Sequence, residues 1–201
     1  VEAFKILLSR DRKFKRLLKF DIQVPSRKNN IVMRLVSSIL AQQLSTKVAE
    51  IMNERFLEIF NGREPKADEI LKVPLIQIRS IGISENKAIY IHHVAEFFVN
   101  HKLTDKKIHK MSDDEIIKLL IQIKGVGRWT VEMLLIFALG REDVFAVDDL
   151  GIQKGMQKLH QLEHLTGKEL KQRMKDISDK WSPYRSYACL YLWRLSDSLK
   201  K

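Results

Sequence analysis

Two small groups of residues in this chain are suited to chemistry on a charged backbone. One is Lys124-Gly125-Val126-Gly127, followed by Arg128 and Thr130. Glycines accept backbone conformations closed to other residues and leave room for a ligand to approach. A helix predicted to begin at about Arg128 would point its free N–H groups and positive dipole end at a phosphate oxygen. Lys124 and Arg128 add positive charge on either side. The other group is the acidic pair Asp148-Asp149, at the end of a short apolar run. A carboxylate there could stabilise positive charge or orient water. Capping the helix predicted from about Leu150 to Leu159 is an ordinary use of Asp. Asp149 is the first choice for chemistry and Asp148 its competitor; Asp148 could cap while Asp149 faces a cleft. Together the two groups point to an enzyme acting on a nucleic acid.

The hairpin needs two helices to hold it, and the pattern supplies them. Ile116, Leu119, Leu120 and Ile123 share one helical face, as do Val131, Leu134, Leu135 and Ala138. Ser112-Asp113-Asp114-Glu115 has the form of a capping box. The helix-hairpin-helix therefore covers about residues 112–139.

The rest of the chain is also helical in pattern. Apolar stripes at Phe4, Leu7 and Leu8 and at Phe14, Leu17 and Leu18 predict a helix pair, followed by a polar linker over residues 21–30. Residues 31–60 predict two helices, with Ile31, Leu35 and Ile39 and then Val48, Ile51, Met52, Phe56 and Ile59 as core. Two short helices break before Pro74, and Ser84 caps a helix through Phe98. Residues 99–111 are expected as a polar connection. Thr166-Gly167-Lys168-Glu169 is expected to be a second capping box. Pro183 fits the first turn of a last helix.

Other groups have both an ordinary and a functional use. Trp129 and Trp193 could stack on a flat ligand, although most tryptophans are core. Gln42-Gln43 interrupts an apolar stretch from Leu35 to Leu44 and could reach into a duplex or lie exposed. His160 and His164, four apart, have no third metal ligand nearby and are expected at the surface.

Composition narrows the partners. The 201 residues carry a formal net charge of +11 and are 45% hydrophobic, which describes a folded domain drawn to a polyanion. Nucleic acid is the first candidate and an acidic membrane surface the second. No apolar run approaches the ~20 residues a membrane-spanning helix needs. Cys189 is the single cysteine, which excludes an internal disulfide and a cysteine-ligated cluster within this chain. Nothing resembles a phosphate-binding Walker loop, a dinucleotide fingerprint or a zinc deaminase motif.

Three stretches, taken in order, resemble one family. They are Ile39-Leu40-Ala41-Gln42-Gln43-Leu44-Ser45; Lys124 to Thr130 with Asp143-Val144-Phe145 and Asp148-Asp149; and Trp181-Ser182-Pro183-Tyr184-Arg185-Ser186-Tyr187-Ala188 with Leu192-Trp193. The chain is similar over about residues 30–196 to the helix-hairpin-helix DNA glycosylases, in their alkylation-repair branch of the 3-methyladenine DNA glycosylase II type. The resemblance implies an all-α fold of two lobes with the active cleft between them. It makes Asp149 the catalytic aspartate, 20 positions after Trp129. It places Trp129, Met133, Leu150 and Trp193 at the base pocket. Gln42, Gln43, Lys124, Gly125, Val126, Gly127, Arg128 and Thr130 would contact DNA. Trp129 stands where bifunctional glycosylase/lyases carry a lysine, so no Schiff base is expected. Some relatives have aromatics where Met133 and Leu150 stand. The amino-terminal sheet domain of some bacterial relatives is not expected, and the chain is read as a single two-lobed unit over residues 1–201.

The reading is a monofunctional enzyme that flips alkylated purines from duplex DNA and hydrolyses the glycosidic bond. It is expected to act as a monomer, without a required cofactor or metal and away from membranes, in a bacterial cytoplasm or nucleoid or a eukaryotic nucleus. A monovalent cation at the hairpin carbonyls is allowed for when DNA is bound. The competing readings are a non-catalytic helix-hairpin-helix module and a glycosylase for oxidised or mismatched bases.

Overall fold

The computed structural model describes residues 2–199, and among them all regular structure is helical. In chain order the helices are α1 (Glu2–Arg10), α2 (Ile31–Ala41), α3 (Thr46–Glu58), α4 (Ala67–Leu71), α5 (Leu75–Arg79), α6 (Glu85–Asn100), α7 (Asp105–Lys110), α8 (Asp113–Leu120), α9 (Arg128–Phe137), α10 (Leu150–His160), α11 (Gly167–Ser178) and α12 (Arg185–Ser198). Short 3-10 segments run over Arg12–Leu17 and Asp179–Trp181. None of the helices is long and apolar enough to cross a membrane. The chain forms two compact units, residues 27–134 and residues 1–26 with 135–201.

In the first unit α6 is the central element, packed against α2, α4 and α5, while α2 also packs on α3. Ile31, Leu35 and Ile39 of α2 are buried as expected. The expectation for α3 is corrected. Phe56 is buried, but Val48 and Ile51 are exposed, because only the face carrying Ala49 and Phe56 meets the core. Residues 99–111 are likewise more than a connection. Thr104 caps α7, and Asp105 reaches back to the start of α2, accepting from the Asn30 and Ile31 N–H groups at 2.6 and 3.0 Å. The capping box at Ser112 forms with Glu115.

In the second unit α10 packs on α12 and α11, and α1 lies against both 3-10 segments and α12. The two ends of the chain share an aromatic cluster. Phe14 meets Trp181 edge to face at 5.2 Å, and Phe4 lies 4.7 Å from Tyr191. Three expectations fail here. Thr166 makes no side-chain cap bond. Pro183 lies ahead of α12, after a cis Ser182–Pro183 bond. His160 is buried, its ring 5.9 Å from that of Trp181 and its Nε2 3.6 Å from Asp11 Oδ2. Burial is the main cause pushing its pKa down to about 4, against the attraction of Asp11.

Candidate functional site: a glycine hairpin and a helix-capping aspartate

The predicted site residues fall into the two units. Gln42, Gln43, Lys124 through Thr130, and Met133 belong to the unit of residues 27–134; Asp149, Leu150 and Trp193 belong to the other.

The hairpin is built as its pattern implies, with one correction. Val126 is buried and anchors the loop, and the Val131 N–H bonds the Gly127 carbonyl at 3.2 Å. Gly127 is thus the first acceptor of the helical ladder and Val131 its first donor, with the N–H groups of residues 128–130 lying between them in sequence. The two glycines were expected to serve the ligand alike, but they differ. A Cβ on Gly127 would meet nothing within 4 Å, so this position faces open space. Gly125 has φ +97°, and a Cβ there would lie 2.3 Å from the ring of Tyr90. Gly125 is therefore required by packing, whereas at Gly127 no neighbour demands a glycine.

The side chains around the hairpin are also unequal. Lys124 is exposed. Arg128 donates through Nε to the buried Glu132 at 2.9 Å, so part of its guanidinium is committed within α9. Thr130 is 2% exposed, which leaves its backbone and not its hydroxyl as the group it can present. Trp129 is 39% exposed, large for a tryptophan, and shares a helix face with half-buried Met133 one turn on. Gln42 turns its side chain toward the hairpin and donates to the Gly125 carbonyl at 3.3 Å. Gln43 is exposed, with φ +61°.

Of the two acids, it is Asp149 and not Asp148 that caps. Asp149 is the cap of α10, accepting the Ile152 N–H on Oδ1 at 2.9 Å. The same oxygen accepts the Trp193 indole N–H at 2.8 Å. Asp148 lies outward and pairs with Lys171 at 2.7 Å. Capping and chemistry are compatible, since a carboxylate held by two donors has a defined orientation. Leu150, next to it, is 70% exposed, an apolar side chain left open beside the acid.

Two glycines that the sequence reading passed over seat this arrangement. A Cβ on Gly155 would lie 2.6 Å from the Leu192 carbonyl oxygen, and one on Gly151 would lie 2.8 Å from Trp193 Cδ1. Four residues apart, they clear one face of α10 so that α12 can approach and lay Trp193 against Asp149. Their i, i+4 spacing was the available signal.

The segment leading into Asp149 is clamped by the motif at the start of α12. Arg185 donates to both oxygens of Asp143 at 2.8 and 2.9 Å, and Ser182 adds a third bond at 2.8 Å. Burial works against the Asp143 charge, but these donors win and hold its carboxyl below the ordinary range. Ser186 accepts the Val144 N–H at 2.9 Å.

These features match a known pattern across most of the chain. Residues 36–183 match the model of the HhH-GPD superfamily of base excision DNA repair proteins. The chain belongs to this superfamily. HhH-GPD proteins similar to it include DNA-3-methyladenine glycosylase 1 of Schizosaccharomyces pombe, 37% identical over 164 residues, covering 81% of this chain and 71% of that protein. A putative DNA-3-methyladenine glycosylase of Bacillus subtilis is 33% identical over 80% of this chain, which spans only 57% of that relative. Among solved HhH-GPD structures, the S. pombe 3-methyladenine DNA glycosylase in complex with abasic DNA superposes with a TM-score of 0.86 at 34% identity, covering 98% of this chain and 97% of the other.

Proposed function

We propose that this chain is a monofunctional DNA glycosylase that flips alkylated purines, of the 3-methyladenine and 7-methylguanine class, out of duplex DNA and hydrolyses their N-glycosidic bond. The observation that carries the reading is the Asp149 carboxylate, bonded to both the α10 backbone and the Trp193 indole. Alkylation at a ring nitrogen makes the purine cationic and a good leaving group. The remaining task is to stabilise positive charge on the sugar, which a fixed carboxylate performs electrostatically. An indole favours a cationic base over a neutral one by about 0.5–2 kcal/mol. The hairpin at Gly127 supplies a sequence-independent hold on the backbone, and exposed Gln43 fills the gap left by the flipped base. The names of its relatives support the same substrate class.

The test is base release from duplexes carrying 3-methyladenine, 7-methylguanine, hypoxanthine or 8-oxoguanine. The first two should be released, leaving abasic sites without strand cleavage and without an adduct on borohydride trapping. Release of 8-oxoguanine alone would move the protein to oxidised-base repair. Tight binding with no release from any duplex would make it a non-catalytic DNA-binding module.

A further inference from the structure

Lys87 stands at the third position of α6, inside the first turn of a helix whose N-terminus repels a positive charge. It is also half-buried, and burial lowers its pKa. Helix stability alone would choose another residue. The structure gives the compensation. The Lys87 ammonium donates to the carbonyls of Leu40 and Gln42, both at 2.8 Å, at the C-terminal end of α2. That is where unpaired helix carbonyls collect and a cation is favoured.

The contact belongs to a closed network within one unit. Gln42, held by its carbonyl, sends its side chain to the Gly125 carbonyl. Gly125 packs against the Tyr90 side chain, leaving no room for a Cβ. Tyr90 sits three residues after Lys87, on the same face of α6. One face of α6 thus braces two loops at once: the turn that carries Gln43 and the hairpin that opens at Gly127. Gln43 adopts φ +61° immediately after the clamped Gln42. A non-glycine residue in that region needs its neighbours to hold it.

We propose that Lys87 is a positioning residue, which through Gln42 locks the α2–α3 turn to the hairpin and so presents Gln43 for insertion into DNA emptied of a base. The proposal rests on the DNA-repair reading above but not on catalysis. Lys87 itself touches no DNA. Its effect is on insertion, with the hairpin's hold on the backbone left intact.

The experiment uses the full chain and a duplex with a tetrahydrofuran abasic-site analogue opposite 2-aminopurine, whose fluorescence reports intrusion into the gap. Lys87→Met should bind this duplex within about three-fold of wild type, with the same salt dependence, while its fluorescence change falls by about half or more. Lys87→Arg, which can reach both carbonyls, should restore the signal. Gln42→Ala breaks the bracket from the other side and should give the same loss, and keeps the test available if Lys87→Met does not fold. The double variant should be no worse than the poorer single one, because both cut one network. The proposal is overturned by an unchanged signal in Lys87→Met, or by no signal in bound wild type. It is also overturned by losses that multiply in the double variant, or by a salt slope reduced by about one, which would make Lys87 a direct phosphate contact. Failure of wild type to release any base would remove the excision reading and leave this result standing, since the probe is already abasic.

Discussion

The hairpin and the aspartate cap use a helix N-terminus in opposite ways. At α9 a Cβ on Gly127 would meet nothing within 4 Å, and in the proposed function the backbone at this helix start receives an anion from outside. At α10 the start is closed by the protein's own anion, Asp149, which a distant indole also grips. The first arrangement is local, made of residues consecutive in sequence and indifferent to which nucleotide is held. The second joins residues 44 apart and depends on how closely α12 can approach α10. In the proposed function the same local feature thus serves binding at α9 and chemistry at α10.

Asp149→Asn should show the largest effect. Asparagine caps a helix as well as aspartate and keeps an oxygen for Ile152 and Trp193. Base release should nevertheless fall by about a hundred-fold or more in single-turnover assays, with abasic-DNA affinity within a few-fold. Asp148→Asn, which loses only its pair with Lys171, should be near wild type. The reverse result would invalidate the division of the pair.

The hairpin glycines should separate next. Gly125→Val combines a strained φ with a collision with Tyr90, and should lower the melting temperature markedly. Gly127→Val meets no neighbour in the free protein, so its melting temperature should change little. Its DNA affinity should fall roughly ten-fold, and wild-type affinity should fall steeply with salt. A Gly127→Val protein with normal affinity would remove the open approach from the account.

Trp193→Leu should cut release of cationic 3-methyladenine or 7-methylguanine more than release of neutral hypoxanthine. The differential should be about two- to thirty-fold. Equal losses with a lowered melting temperature would assign the indole to packing alone. Gly151→Ala should give a smaller loss, about several-fold in rate, because its methyl, 2.8 Å from Trp193 Cδ1 and 3.1 Å from Asp149 Oδ1, loosens the pair without removing the carboxylate. Unchanged rates would mean that the indole's place beside the acid is unimportant.

The smallest effect concerns acid. His160 has its folded pKa depressed to about 4 from an ordinary 6.5. The unfolded chain therefore takes up a proton on this residue before the folded protein does. The contribution of His160 is present above pH 6.5 and is lost progressively as pH falls toward 4. Melting curves of wild type should decline over that window more than those of His160→Phe. Parallel curves would show that Asp11 or other carboxylates dominate the acid response.

Much of this arrangement was legible in the residue order because it is local. Helix periodicity marked α2, α6, α8 and α9, and the Ser112 capping box and the Ser84 cap formed as their spacing required. The hairpin and its two flanking helices are encoded within about thirty consecutive residues, where turn chemistry and apolar spacing agree. Side-chain partnerships across long separations were not legible in this way. Asp149 receives the Trp193 indole, 44 positions on, because α12 packs on α10. Gly125 is constrained by Tyr90, 35 positions earlier, and His160 is buried because the start of the chain folds over it. Lys87 looks like an ordinary surface cation until the end of α2 is placed beside it. Hydrogen-bond patterns within a turn follow from neighbouring residues. Which acid, cation or glycine meets which distant group is decided only when the helices pack.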